Sequence, residues 1–284
     1  MPHKFAFMAS LGYAQMNPRD VLASLKKIGY QGVEWTTIHF DPDKPLAELK
    51  ALVQMTRDAG LEVSRIMAHE DLVSLDDRLR RQRIDRTLRV IAAAGECRVA
   101  TVGTMTGPAP WDPAAPKVGD QISESAAWDQ VFEAYEAFTQ AARKAHVVVS
   151  SEGVFGMLAH DFYTHKWMMD QLDPDVQKVN FDPSHDVLYG NLDAGFHIRQ
   201  WNRRIAHIHL KDAVGIPRLG HFVFPLLGEG NVDWPGFIRA LDDIRYTGFL
   251  SVEFESFTYY SRVLESNPEH AAMISMNQIQ KLFR

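Results

Sequence analysis

The chain has 284 residues, 46% hydrophobic and 23% charged, and its 30 basic and 36 acidic side chains give a formal net charge of −6. That is the make-up of a globular chain with a sizeable core, and apart from a short cluster at Arg78–Arg86 its cations are too scattered for a nucleic-acid surface. The single Cys97 excludes an intrachain disulfide framework and a thiolate metal site, no apolar run approaches the ~18 residues of a membrane span, and MPHKFAFMASLGYAQ lacks the core of a secretory signal, so a cytoplasmic protein is expected.

Short apolar runs alternate with longer segments of helical period. The runs predict strands at Lys4–Ala9, Gly32–Thr36, Glu62–Met67, Arg98–Gly103, Val147–Glu152, Lys178–Asp182, Ala206–Leu210 and Phe249–Phe254. Helical patterns fill the intervals at Pro18–Ile28, Leu46–Ala59, Leu75–Ala94, Glu124–Ala145, Phe162–Leu172, Leu192–Arg203, Trp234–Ile244 and Glu269–Phe283. Eight strands, each followed by a helix, imply parallel pairing through crossover helices. Runs such as VVVSSE and FLSVEFE read as apolar on both faces, as strands covered by helices are.

An internal echo points the same way: residues 23–34 read ASLKKIGYQGVE and residues 240–253 read ALDDIRYTGFLSVE. Both join a helix end through Ile-x-Tyr-x-Gly to a strand ending in glutamate. The tyrosine is expected to staple helix to strand, and the glycine to permit a tight turn. A unit repeated near both ends suits a single closed (β/α)₈ TIM barrel over residues 1–284 better than a doubly wound sheet. The longest non-periodic pieces, Thr104–Ile122 and Ala213–Asp233, both follow strands and would lie on the catalytic face of a barrel.

Four consecutive strands end in a side chain able to hold a hard or borderline cation. VVVSSEG ends in Glu152, and VNFDPSH gives Asp182 with His185 three residues on. IAHIHLKD carries His209 with His207 two residues earlier, and FLSVEFES carries Glu253 with Glu255 two residues later. The strand period of two places each of these last pairs on one face. In an open sheet the four ends would stand about 4.8 Å apart in a row, the outer two roughly 14 Å from each other, beyond the reach of one ion. Closure turns them toward a common axis, so barrel and metal support each other. Each residue alone has a plainer role: a strand-end carboxylate serves a turn or a helix N-cap, and a strand histidine packs. Four such coincidences at the same end of four successive strands favour the metal. Two glutamates, one aspartate and one imidazole suit Mn²⁺ foremost, with Mg²⁺, Co²⁺ and Zn²⁺ in the accepted set. Pro183 reads as breaking strand six at the barrel rim, and Ser184 as the turn that aims His185 back over the mouth.

DPSH after strand six, HIHLKD at strand seven, GEGNVDW in the next loop and YTGFLSVEFE at strand eight resemble the xylose isomerase-like TIM-barrel superfamily, and within it the sugar phosphate isomerase/epimerase branch. The resemblance implies Glu152, Asp182, His209 and Glu253 as metal ligands, with Glu152 and Glu253 also acting as the acid/base pair. It implies substrate-side roles for His185, His69, Glu34 and Arg218, the last at a longer spacing from His209 than the family pattern leads one to expect. His207 is expected to pack in the lumen and Glu255 to sit in a salt bridge. The implied activity is isomerisation or epimerisation of a sugar or keto-sugar, by proton abstraction beside a metal-bound carbonyl to give an enediolate. The alternative is a lyase or dehydratase working on an oxidised sugar through the same step, such as a 3-oxo-glycoside-cleaving or inosose-dehydrating enzyme. The extra histidines and basic face of the superfamily's DNA-repair branch are missing, and no Gly-rich loop leads into a helix N-terminus to seat a phosphate. A neutral small carbohydrate is therefore the expected partner, with neither nucleic acid nor membrane. The apolar insert 213–226 would line a pocket for a hydrophobic aglycone or form a subunit contact. The Phe222–Leu227 and Phe257–Tyr260 stretches suggest a homo-oligomer, with a hetero-subunit as the other option.

Overall fold

The computed structural model describes residues 3–284. Eight strands form the barrel: β1 (Lys4–Met8), β2 (Gly32–Thr36), β3 (Glu62–Met67), β4 (Thr101–Thr104), β5 (Val148–Glu152), β6 (Gln177–Phe181), β7 (Ile205–Leu210) and β8 (Phe249–Val252). All neighbours are parallel, and β1 closes the ring by pairing Lys4 with Phe249 of β8 and Ala6 with Gly32 of β2. Among the described residues ten α-helices surround it: α1 (Pro18–Ile28), α2 (Pro45–Asp58), α3 (Asp77–Glu96), α4 (Glu124–Ala145), α5 (Phe162–Met169), α6 (Pro183–Leu188), α7 (Ala194–Trp201), α8 (Trp234–Asp243), α9 (Phe257–Arg262) and α10 (Pro268–Leu282). Local chemistry starts them where expected. Asn17 caps α1 by accepting from the Arg19 N–H at 3.0 Å, and Asn267 caps α10 from Glu269 at 2.9 Å. A proline follows each cap, where its missing N–H costs nothing. Among the described residues no helix is long and apolar enough to cross a membrane.

The main hydrophobic layer lies between barrel and helices, where Val33, Ile66, Val102, Val149, Val179 and Ile208 are fully buried. The lumen differs from the two-sided apolar reading. It holds Glu34, Arg65, Ser150, Asn180 and His207, all essentially inaccessible to water and joined by hydrogen bonds. Strand-length alternation is therefore polar-in and apolar-out.

Several boundaries differ for physical reasons. β4 begins at Thr101 rather than Arg98, because Arg98 adopts a left-handed φ of 55° in the turn leaving α3. Pro183 does not end a strand in a loop. Asp182 is the N-cap of α6, its Oδ1 accepting from the Ser184 N–H at 2.8 Å, and Pro183 opens that helix. At six residues α6 is too short for a hydrophobic period to announce it. In the two echoed units the left-handed residues are Gly29 (φ 106°) and Arg245 (φ 54°), not the later glycines. Gly32 and Gly248 are required for space: a Cβ there would lie 2.6 Å from the Phe249 ring or 2.4 Å from the Tyr246 hydroxyl. The staple from helix to strand is made in the second unit, where Tyr246 donates to the Phe249 carbonyl of β8 at 3.0 Å, whereas Tyr30 donates at 2.9 Å to the Ala272 carbonyl of α10 and so ties its unit to another helix.

Candidate metal centre

Barrel closure brings the ends of β5, β6, β7 and β8 onto one axis. Glu152, Asp182, His209 and Glu253 each present one donor atom there, all within 4.8 Å of one another and all buried. His209 Nδ1 stands 3.2 Å from Glu152 Oε1, 3.2 Å from Glu253 Oε2 and 4.0 Å from Asp182 Oδ2. Three converging carboxylates in a water-poor site demand a cation. Burial works against a charge on His209, yet the carboxylates of Glu152, Glu34 and Glu253 outweigh it and hold the imidazole well above its ordinary pKa. The site attracts positive charge to Nδ1, where a metal would bind. Asp182 Oδ2 is a further sign: it accepts no hydrogen bond, and its nearest cationic neighbour, the Lys211 ammonium, stands off-line at 3.0 Å. The donor set and its geometry fit a divalent cation, with these four residues as its holders.

The ligands are oriented from behind. His209 Nε2 lies 3.1 Å from Glu34 Oε2, whose partner oxygen accepts from Arg65 Nε at 2.7 Å. A carboxylate receiving the outer N–H of a ligating imidazole fixes the tautomer that leaves the other nitrogen free for metal. Glu34 is thus buried behind His209, which corrects its expected place beside the substrate. Glu34, His207 and His209 also approach one another closely enough for an ion, but the Arg65 guanidinium already takes the cation's place there. Asn180 pins Glu152, its Nδ2 donating to Oε2 at 2.9 Å, and His207 in turn bonds Asn180 at 2.8 Å. His207 is a lumen residue, as expected, with burial driving its pKa down to about 3.

His185 stands at the mouth with Nε2 3.6 Å from Asp182 and 3.7 Å from Glu152. The Phe155 N–H donates to its Nδ1 at 3.3 Å, so Nε2 carries the hydrogen and faces the site as a donor. His69 lines the same cavity, Nε2 3.8 Å from Glu152 Oε2, and burial pulls it down to about 4, so it is neutral near pH 7. Arg218 is the exception. It is exposed in the β7–α8 insert, does not line the cavity, and its backbone only closes a turn with Ile216 and His221. It lies in the turn that joins the two strands of the short hairpin Val214–Gly215/Phe222–Val223.

Sequence reasoning missed Lys211, buried among the carboxylates. Its Nζ contacts Glu253 directly, lies 3.0 Å from Asp182, 3.1 Å from Glu255 and 3.4 Å from His185 Nε2, and stands 4.7 Å above the Phe224 ring. Burial disfavours its charge, but Asp182, Glu253 and Glu255 more than compensate and keep it an ammonium. The signal was present: Lys211 continues the period-two set His207, His209, Lys211. The neighbouring Asp212 organises the GEGNVDW loop by accepting from the backbone of Gly228, Gly230 and Val232 and from Trp234 Nε1, at 2.9–3.1 Å.

Fold and site together define a (β/α)₈ barrel with an acidic, single-imidazole cation centre at the C-terminal ends of its strands. Residues 22–282 match the Xylose isomerase-like TIM barrel family, and the chain belongs to that family. An inosose dehydratase from Clostridium perfringens is 30% identical over 114 residues, covering 34% of this chain and 37% of the relative's length. Among solved structures, the IOLI protein with a binding zinc atom superposes with a TM-score of 0.77 at 17% identity, covering 99% of this chain and 98% of that one. The 3-keto-D-glucoside 4-epimerase YcjR from E. coli gives 0.75 at 14% identity, with 99% of each chain covered. At these identities the two structures speak for the fold alone.

Proposed function

We propose that the protein is a divalent-metal-dependent isomerase or epimerase of a sugar or keto-sugar, acting by removal of a proton from the carbon beside a carbonyl. The observation that carries this reading is the convergence of Glu152, Asp182, His209 and Glu253 from four successive strands onto one point below an open cavity. A divalent cation bound there supplies Lewis-acid polarisation of the carbonyl. The chain's own groups do the rest. Glu152 and Glu253, both held as carboxylates against burial by His209 and, for Glu253, first by Lys211, are the acceptors for the proton. His185 Nε2–H and the Lys211 ammonium orient the substrate oxygens. Return of the proton to the opposite face gives an epimer, and return to the neighbouring carbon gives an isomer.

A second reading has one specific observation in its favour. Lys211, backed by Glu255 at 3.1 Å, is a buried acid that a two-glutamate epimerase does not require. If the substrate carries a leaving oxygen β to the carbonyl, the base takes the α-proton, the C–O bond breaks with its electron pair on oxygen, and Lys211 protonates that oxygen. The result is a dehydratase or lyase, the activity that the inosose dehydratase's name describes for that relative. Mn²⁺ remains the proposed metal, with Zn²⁺ the one named in a structural neighbour.

The test is incubation of the Mn²⁺-loaded protein with a panel of keto-sugars in D₂O, followed by NMR. Deuterium at the carbon beside the carbonyl with recovery of an epimer or isomer is the expected outcome. Deuterium followed by loss of water or an aglycone selects the second reading. Absence of exchange with every keto-sugar would overturn both.

A further inference from the structure

Above the charged floor the site changes character. The cavity holds about 450 Å³, within the range of about 300–1,000 Å³ that encloses drug-sized ligands. Its walls are apolar and largely aromatic. Phe155 packs on Phe222 with ring centroids 4.6 Å apart and faces Trp111 at 5.9 Å. At the rim Trp111, Leu219 and Phe257 are 51%, 52% and 55% exposed, the first two on separate loops and the third in the first turn of α9. A single exposed apolar residue needs no explanation, but three converging on the mouth of one cavity do.

Three kinds of substrate can be weighed against this lining. A free sugar would fill the polar floor and leave the aromatic walls wet. A phosphorylated sugar would need a second cation, and among the described lining residues Lys211 is the only lysine or arginine, already engaged by Asp182, Glu253 and Glu255. A sugar bearing a flat apolar group satisfies both halves: ring oxygens on the floor, and the substituent between Phe155, Phe222 and the exposed rim, where aromatic contacts add to area burial. We propose that the natural substrate is such a conjugate, a glycoside or similar sugar derivative with an aromatic substituent held by Trp111, Phe155, Phe222 and Phe257. The proposal rests on the reading of the floor as a sugar site, and it adds the chemistry of the substituent.

The experiment compares phenyl β-D-glucoside, methyl β-D-glucoside and glucose 6-phosphate by titration calorimetry on the Mn²⁺-loaded protein. The two glucosides are locked acetals without the carbonyl that turnover requires, so their comparison is of binding alone, and NMR of the glucose 6-phosphate sample checks that it is recovered unchanged. Phenyl glucoside is expected to bind at least about tenfold more tightly than methyl glucoside, each tenfold being one decade of Kd. In Trp111→Ala/Phe257→Ala the ratio is expected to collapse toward one. Leu219→Asp, a change on an exposed turn, should lower it without touching the fold, and thermal melts of each variant check that the barrel is intact. Equal affinities, a preference for the phosphate, a phenyl preference that survives the double substitution, or no binding of any of them overturns the proposal. So does a phenyl affinity that weakens as protein concentration rises, the sign of a second copy closing the mouth. Because exchange of small keto-sugars in D₂O needs no aromatic group, failure here and failure of the proposed reaction are separately visible.

Discussion

Glu152→Gln and Glu253→Gln are each expected to lower kcat by about 10³-fold or more, measured on metal-loaded protein with the substrate found in the D₂O screen. Loss of a positioned base alone removes about 10²–10⁴, and an amide is also a poorer partner for a divalent ion than a carboxylate. At Glu152 the geometry sharpens the effect. Asn180 Nδ2 donates to Oε2 while Oε1 faces His209 Nδ1. An amide in that place keeps the first bond only by turning its NH₂ toward the donor atoms of the site. Metal analysis of each variant separates the two roles, since a base that is not needed would leave turnover in step with metal content. A variant that retains metal and more than a tenth of wild-type activity contradicts the assignment of that glutamate as base.

Arg65→Met is expected to be the most destabilising single change in the lumen. Glu34 and Arg65 are both wholly inaccessible to solvent and bonded at 2.7 Å. Burial raises the Glu34 pKa, and Arg65 first, then His209 and His207, pull it well below the ordinary carboxylate value. Removing the guanidinium strands a buried anion, a loss of about 3–5 kcal/mol, which in a chain of this length lowers Tm by roughly 5–10 °C. Adding Glu34→Gln to Arg65→Met should restore part of that loss, because the unpaired charge goes while an acceptor for His209 Nε2 stays. A melt of Arg65→Met superimposable on wild type would contradict the ion pair's structural role. A double variant no better than the single one would show that packing, not charge, is what Arg65 supplies.

Much of the architecture was legible because it depends on patterns the chain repeats. Alternating strand and helix periods, and the recurrence of Ile-x-Tyr-x-Gly at both ends, are consequences of building one βα unit many times. The four donor residues were legible for a related reason: a barrel puts every strand's C-terminal end on one rim, so chemistry at successive ends needs no knowledge of loops. What stayed hidden depends on register and on loops. The pairing of β2 with β3 matches Val33 with Val63 but Glu34 with Arg65, skipping Ser64. A similar slip between β6 and β7 sets Asn180 opposite His207. Such bulges break strict alternation, so the lumen network of Glu34, Arg65, Asn180 and His207 could not be counted off by parity. The resemblance implied a substrate-side place for Glu34, while it lies behind His209. Lys211 was countable by parity, two residues on from His209. Arg218 failed differently, since its direction is decided by a hairpin that no period encodes.

The central claim, that one divalent cation is held by four successive strand ends, is tested most directly by titrating Mn²⁺ into metal-free protein with calorimetry and EPR. The account predicts one site per chain in the wild type, with affinity falling at least about tenfold in both Asp182→Asn, which preserves the α6 cap, and Glu253→Gln. No Mn²⁺ binding, or equal affinity in all three proteins, would contradict it.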